Sequence, residues 1–101
     1  MEFIDKKIVD ILQNEIIRQD NEHNFIASEN FTSDDVKYLC GSDFTNKYAE
    51  GYPGKRYYNG CKHYDELENY GIELVTKLYG CNFANIQPHS GANANLAIFK
   101  A

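Results

Sequence analysis

The sequence predicts an α/β fold, mostly helical with one short strand, and three observations carry that prediction. Ile4, Ile8, Ile11, Leu12 and Ile16 recur at the spacing of one helix face. Tyr64, Leu67, Gly71, Leu74, Val75 and Leu78 form a second such stripe. Asn82-Phe83-Ala84-Asn85-Ile86-Gln87 has the length and composition of a strand, closed by Pro88 and followed at once by a run of small and apolar residues.

The first helix is expected over 5–20, with Asp5 as its cap, Asp20-Asn21 at its end, and Lys7, Asp10, Asn14 and Arg18 opposite the apolar stripe. A helix with one apolar face must dock on something. Thr32-Ser33-Asp34-Asp35 reads as a capping box, the Thr32 hydroxyl and the Asp35 carboxylate three positions apart. Val36, Leu39 and Cys40 then give a short helix stopped by Gly41. Residues 41–63 fit no regular pattern; Gly51, Pro53, Gly54 and Gly60 punctuate them, and Tyr48, Tyr52, Tyr57 and Tyr58 crowd between. Helix resumes through Leu78 and stops at Gly80, a short strand takes 82–87, and 92–101 is expected to be a helix buried on most of its surface. A lone strand leaves N–H and C=O groups unpaired on both edges. The last helix carries no stop signal. Together they predict the front end of a larger α/β chain.

Composition narrows the classes. Of 101 residues, 43% are hydrophobic and 25% charged, which excludes a disordered chain, and no apolar run approaches the roughly 18 residues of a spanning helix. Ten Lys and Arg against 15 Asp and Glu give a net charge of −5, which argues against nucleic acid or an anionic membrane as the main partner. The start of the chain lacks the basic and apolar regions of a secretion signal, so a cytoplasmic location is expected. Cys40, Cys61 and Cys81 are odd in number and widely spaced, as are His23, His63 and His89, so neither a disulfide framework nor a metal site is expected.

Three stretches hold chemistry. The turn Pro88-His89-Ser90-Gly91-Ala92 would point free backbone N–H groups and the Ser90 hydroxyl at whatever precedes the last helix, and a phosphate suits that position. Taken alone, the feature favours an ordinary capped turn. The loop from Thr45 to Tyr58 combines Glu50, several phenols, cations and chain-bending glycines. Among the tyrosine rings Glu50 would be shielded from water and suited to passing protons; alternatively the tyrosines anchor an interface and Glu50 pairs with Lys47, Lys55 or Arg56. Ser28-Glu29-Asn30 sits between apolar residues and would serve either a ligand or neighbouring helix ends.

At these residues a resemblance emerges. Ile26-Ala27-Ser28-Glu29-Asn30-Phe31, then Thr45-Asn46-Lys47-Tyr48-Ala49-Glu50-Gly51-Tyr52-Pro53-Gly54-Lys55-Arg56-Tyr57-Tyr58, then Gln87-Pro88-His89-Ser90-Gly91 strongly resemble the N-terminal quarter of serine hydroxymethyltransferase. The resemblance implies a pyridoxal 5'-phosphate transferase of the aspartate-aminotransferase-like fold (fold type one). It also implies a homodimer or tetramer with shared active sites. The implied reaction interconverts serine and glycine while a one-carbon unit moves to or from tetrahydrofolate. Under it, 1–35 would be a helix and extended arm, and 36–101 the start of the cofactor-binding large domain.

The same resemblance implies residue roles. Ser28 would contact the substrate carboxylate and cofactor, Tyr48 would donate to the cofactor phosphate, and Glu50 would handle the proton at the serine hydroxyl. Tyr57 would lie on the folate side, Tyr58 would position the amino acid, and Ser90, Gly91 and Ala92 would belong to the phosphate cup. Tyr48 and Glu50 would reach in from the neighbouring subunit. Ala92 stands where the family often has Ser, at a cost of about 1 kcal/mol for one neutral hydrogen bond. Asn59 stands where a second Gly often occurs. Lys47, Lys55 and Lys100 do not match the family's Schiff-base motif, so the chain alone is expected to be inactive. The alternatives are a Tyr-rich binding module without chemistry, or a natural fragment that docks on full-length enzyme.

Overall fold

The computed structural model describes residues 5–101, so Ile4, the first residue of the expected stripe, lies outside the described residues. The elements run α1 (Lys6–Asn21), α2 (Asp34–Cys40), a 3₁₀ turn (Asp43–Asn46), β1 (Gly51–Tyr52), β2 (Lys55–Arg56), α3 (Lys62–Tyr79) and α4 (Gly91–Lys100). Two compact units divide the chain, the described residues up to Lys37 and residues Tyr38–Ala101.

In the first unit α1 forms where the periodicity places it. The Asp5 carboxylate accepts from the Lys7 N–H at 2.7 Å, satisfying one of the donors that a helix start leaves open. Arg18 in the last turn bonds Glu15 at 2.7 Å and Glu22 at 2.9 Å, favourable to the helix dipole as well as to the two carboxylates. The expected stripe is present but uncovered: Ile8, Ile11, Leu12 and Ile16 are between 44% and 59% exposed. The cap of α2 also differs from expectation. Ser33 takes the role assigned to Thr32, its Oγ accepting from the Val36 N–H at 3.4 Å. The Lys37 N–H reaches the Ser33 C=O, so the helix starts one residue later than a Thr32 cap requires.

In the second unit the hairpin, the 3₁₀ turn and the segment 82–87 all meet α3. Gly80 ends it in the left-handed region at φ 62°, and the Cys81 N–H returns to the Thr76 C=O at 3.1 Å. The segment expected to be a strand at 82–87 is not one. Among the described residues no second strand lies beside it; instead it is an extended strap on α3 and the hairpin. Ile86 seats on α3 at Gly71, where a Cβ would come within 2.6 Å of the Ile86 Cδ1. Among the described residues the only sheet is the short antiparallel hairpin β1–β2, Gly51 opposite Arg56 and Tyr52 opposite Lys55, within residues that showed no regular pattern. Cys61 is the sole buried residue among those described, its thiol donating to the Tyr58 C=O at 3.3 Å. The Tyr64 hydroxyl donates to the Phe44 C=O at 3.2 Å, and the two rings meet edge to face, which ties the 3₁₀ turn to α3.

The last helix, expected to be largely buried, is open, with Ile98 75% and Phe99 86% exposed. No described helix is long and apolar enough to cross a membrane.

Candidate active site

The loop 45–58 acquires its shape from one arginine. The Arg56 side chain is 6% exposed, and its guanidinium meets carboxylates and carbonyls on every side. Nε donates to Asp65 Oδ1 at 2.7 Å, and one Nη2 proton goes to Glu68 Oε2 at 2.6 Å. Nη1 donates to the Ala49 and Gly51 carbonyls at 2.7 and 2.8 Å. A planar guanidinium presents its donors in a fixed fork, so these four bonds set an orientation as well as a distance. Arg56 thus pairs with Asp65 and Glu68 rather than with Glu50.

Asp65 closes the other end of the hairpin. Its Oδ2 accepts from the Gly54 N–H at 2.9 Å, and that bond, followed by the one from Arg56, holds its carboxyl below the usual carboxylate range. Asp65 and Glu68 in turn hold the Arg56 guanidinium above its ordinary value. The turn itself needs its glycines. Gly54 sits at φ 74°, and Gly51, at φ 100°, has the Lys55 carbonyl oxygen where a Cβ would stand.

Glu50 lies between these fixed points. The Ala49 and Gly51 carbonyls on either side are held by Arg56, and the Glu50 carbonyl itself accepts from the Tyr57 N–H at 3.1 Å. Three consecutive carbonyls are therefore fixed while the Glu50 residue remains exposed, without the shielding by tyrosine rings that the sequence suggested. A cavity of about 670 Å³ opens here, lined by Glu50, Tyr57, Leu67, Gln87 and His89 among others. Tyr48 and Tyr58 pair with each other, ring centroids 6.0 Å apart. Ser28 lies in the first unit, on a separate cavity of about 860 Å³ with Arg18, Phe25, Glu29 and Phe31.

The start of α4 has the donors an anion needs. Ser90 is the cap, its Oγ accepting from the Asn93 N–H at 3.2 Å, which leaves the hydroxyl proton to donate outward. Gly91 and Ala92 occupy the first helical positions, whose N–H groups no turn of the helix satisfies. A Cβ at Gly91 would meet nothing within 4 Å, so a ligand has room to approach the backbone. The donor set fits a phosphate; Ala92 adds only its N–H.

Sequence reasoning missed Asp65, Glu68 and Gln87 as partners of this loop. The available signal was the i, i+3 spacing of the two acids, which puts both on one side of α3 facing the same way as a single cation would need.

The family model described as Serine hydroxymethyltransferase matches residues 1–101. The chain belongs to the serine hydroxymethyltransferase family. It is similar to serine hydroxymethyltransferase 1 of Sulfurimonas denitrificans, 55% identical over 97 residues that cover 96% of this chain and 23% of the relative. The serine hydroxymethyltransferase of Ehrlichia canis is 55% identical over 98 residues, covering 97% of this chain and 23% of that protein. That of Campylobacter hominis is 52% identical over 101 residues, covering 100% and 24% respectively. The chain thus spans about a quarter of the length of these curated serine hydroxymethyltransferases.

Proposed function

We propose that this chain is the N-terminal part of a pyridoxal 5'-phosphate-dependent enzyme that interconverts serine and glycine and exchanges a one-carbon unit with tetrahydrofolate. The observation that carries the reading is the fixed backbone of Glu50 beneath an exposed carboxylate at the mouth of a cavity shared with Tyr57. Family membership supports it.

When bound, the cofactor supplies an electron sink for charge developing at the amino acid's α-carbon. This chain supplies the surrounding groups. The Ser90 hydroxyl and the N–H groups of Gly91 and Ala92 would bind the cofactor phosphate, while Tyr48, a further phosphate donor, and Glu50 would reach into the site of the neighbouring subunit. Glu50 takes or gives the proton at the serine hydroxyl oxygen, and the Tyr58 phenol holds the amino acid in place for it. Tyr57 contacts the folate, and Ser28 the substrate carboxylate. The lysine that bonds the cofactor lies outside the motifs of this chain, so turnover requires the rest of the protein. In the whole enzyme the exposed faces of α1 and α4 are contact surfaces for that remainder or for a second subunit, in a fold of the aspartate-aminotransferase-like type whose large domain begins near residue 36. The location is cytoplasmic.

Replacing Glu50→Gln in the whole enzyme tests this. Cofactor content, read by absorbance, should stay unchanged while folate-dependent serine cleavage falls by about 10²–10⁴-fold, the range for loss of a positioned acid–base group. Cleavage at the unmodified rate would remove Glu50 from the chemistry.

A further inference from the structure

We propose that Gln87 and Glu68 are positioning residues for the Glu50 carboxylate; this rests on the role given to Glu50 above. Gln87 stands three residues before Ser90, in the strap that leads into α4. Its Nε2 donates twice, to the Gly51 carbonyl at 2.9 Å and to Glu68 Oε1 at 2.7 Å. Glu68 uses its other oxygen, Oε2, for Arg56, and Arg56 returns to the Gly51 and Ala49 carbonyls. A closed ring of hydrogen bonds results: Gln87, Glu68, Arg56 and the Gly51 carbonyl, which accepts from both side chains.

The ring joins two pieces of chemistry that the sequence separates by about 40 residues. On one side stands the peptide that carries Glu50, on the other the turn His89-Ser90-Gly91. The Gln87 N–H is itself fixed by Asn85 Oδ1 at 2.9 Å, so the amide arm leaves a defined point of the strap. Each part of the ring has a donor facing an acceptor, and a second acceptor at position 87 would break it. A side-chain amide is the group that offers two protons from one nitrogen to two oxygens without adding charge. The Glu68 side chain is 14% exposed, and its two oxygens accept one from each neighbour, Oε1 from Gln87 and Oε2 from Arg56.

Misplacing a reacting group by a fraction of an ångström costs rate even where the fold survives. A double-mutant cycle on the whole enzyme separates that effect from a purely structural one. Gln87→Met removes both bonds at nearly constant volume and should lower kcat for folate-dependent serine cleavage about tenfold, with KM for serine changed less than about twofold. Made in the Glu50→Gln background, the same change should cost less than about twofold, since the group being positioned is gone. Gln87→Glu provides an independent readout if the Met variant does not fold. Its deficit should shrink as pH is lowered and the added carboxyl gains a proton to donate. An equal loss in both backgrounds, no loss in either, or a pH-independent deficit in Gln87→Glu overturns the positioning role. Full activity of Glu50→Gln alone would instead overturn the reading of Glu50, so the two failures are distinct.

Discussion

Helix α1 and the hairpin on α3 are held by opposite means. In α1 every side-chain bond spans a single turn: Asp5 to Lys7, Arg18 to Glu15 and Glu22, Gln19 to Glu15, and Asn21 to the Ile17 carbonyl. In the hairpin the bonds reach across 9, 11 and 12 residues, from Arg56 to Asp65, Gly54 to Asp65 and Arg56 to Glu68. The first kind can form in an isolated peptide and persists in part when the fold is lost. The second exists only when the loop and α3 are together, so it is cooperative with folding and is the kind that can hold a functional group in place. Local bonds shape an element; long-range ones shape a site.

The sharpest way to break the hairpin is Gly51→Ala. The substitution combines φ 100° with a clash against the Lys55 carbonyl oxygen, and backbone cannot move aside as a side chain can. A loss of about 1–3 kcal/mol or more is expected in denaturant unfolding. Gly51 also carries the carbonyl that accepts from both Arg56 and Gln87, so turnover of the whole enzyme should fall with it. A stability equal to that of the unmodified protein would contradict the observed backbone.

A smaller effect is expected at Gly71. Ala there gains about 1 kcal/mol of helix propensity but overpacks against Ile86 by about 1–3 kcal/mol, for a modest net loss. Ile86→Val removes the Cδ1 that would be struck. The Gly71→Ala, Ile86→Val pair should therefore be less destabilised than the sum of its parts in a chemical melt. Additive losses would mean that Ile86 does not seat at Gly71.

The smallest effects are in acid, and they compare the two regions directly. Asp65 is held below its usual range in the folded state, so its contribution is fully present above its ordinary value of about 3.9 and is lost as pH falls through the lowered folded value. Asp65→Asn should flatten that part of the stability–pH curve. Glu15, bonded first by Arg18 and then by Gln19, is lowered to about 2. Its partners lie within one turn, so the same depression should survive in a peptide of α1 and weaken with added salt. A carboxyl resonance for Glu15 that titrates at the ordinary value in the intact protein would sink the local pairing.

The contrast also explains what could be read from the sequence. Stripes at Ile8 and Ile11 or Leu67 and Leu74, and the stop at Gly80, report local geometry, and α1 and α3 lie where they indicate. The hairpin was illegible because its strands are two residues long, too short for alternation to register. The strand expected at 82–87 has the right composition, yet a strand is defined by its neighbour, and sequence pattern does not supply one. The residues of the candidate site were visible as an unusual loop. Of the Arg56 network around them, the i, i+3 spacing of Asp65 and Glu68 was visible, but an ion pair across twelve residues leaves no periodic mark that names its cation.

The strap from Asn85 to Gln87 carries a further consequence. Alternate residues of an extended chain face opposite ways, and here Asn85 and Gln87 reach the hairpin at Tyr52 and Gly51 while Ile86 between them enters the notch at Gly71. Deleting one residue between Cys81 and Asn85 would draw Ile86 toward the polar partners and an amide toward the notch. The spacing between Gly80 and Ser90 is therefore a ruler, and its unit is a single amino acid.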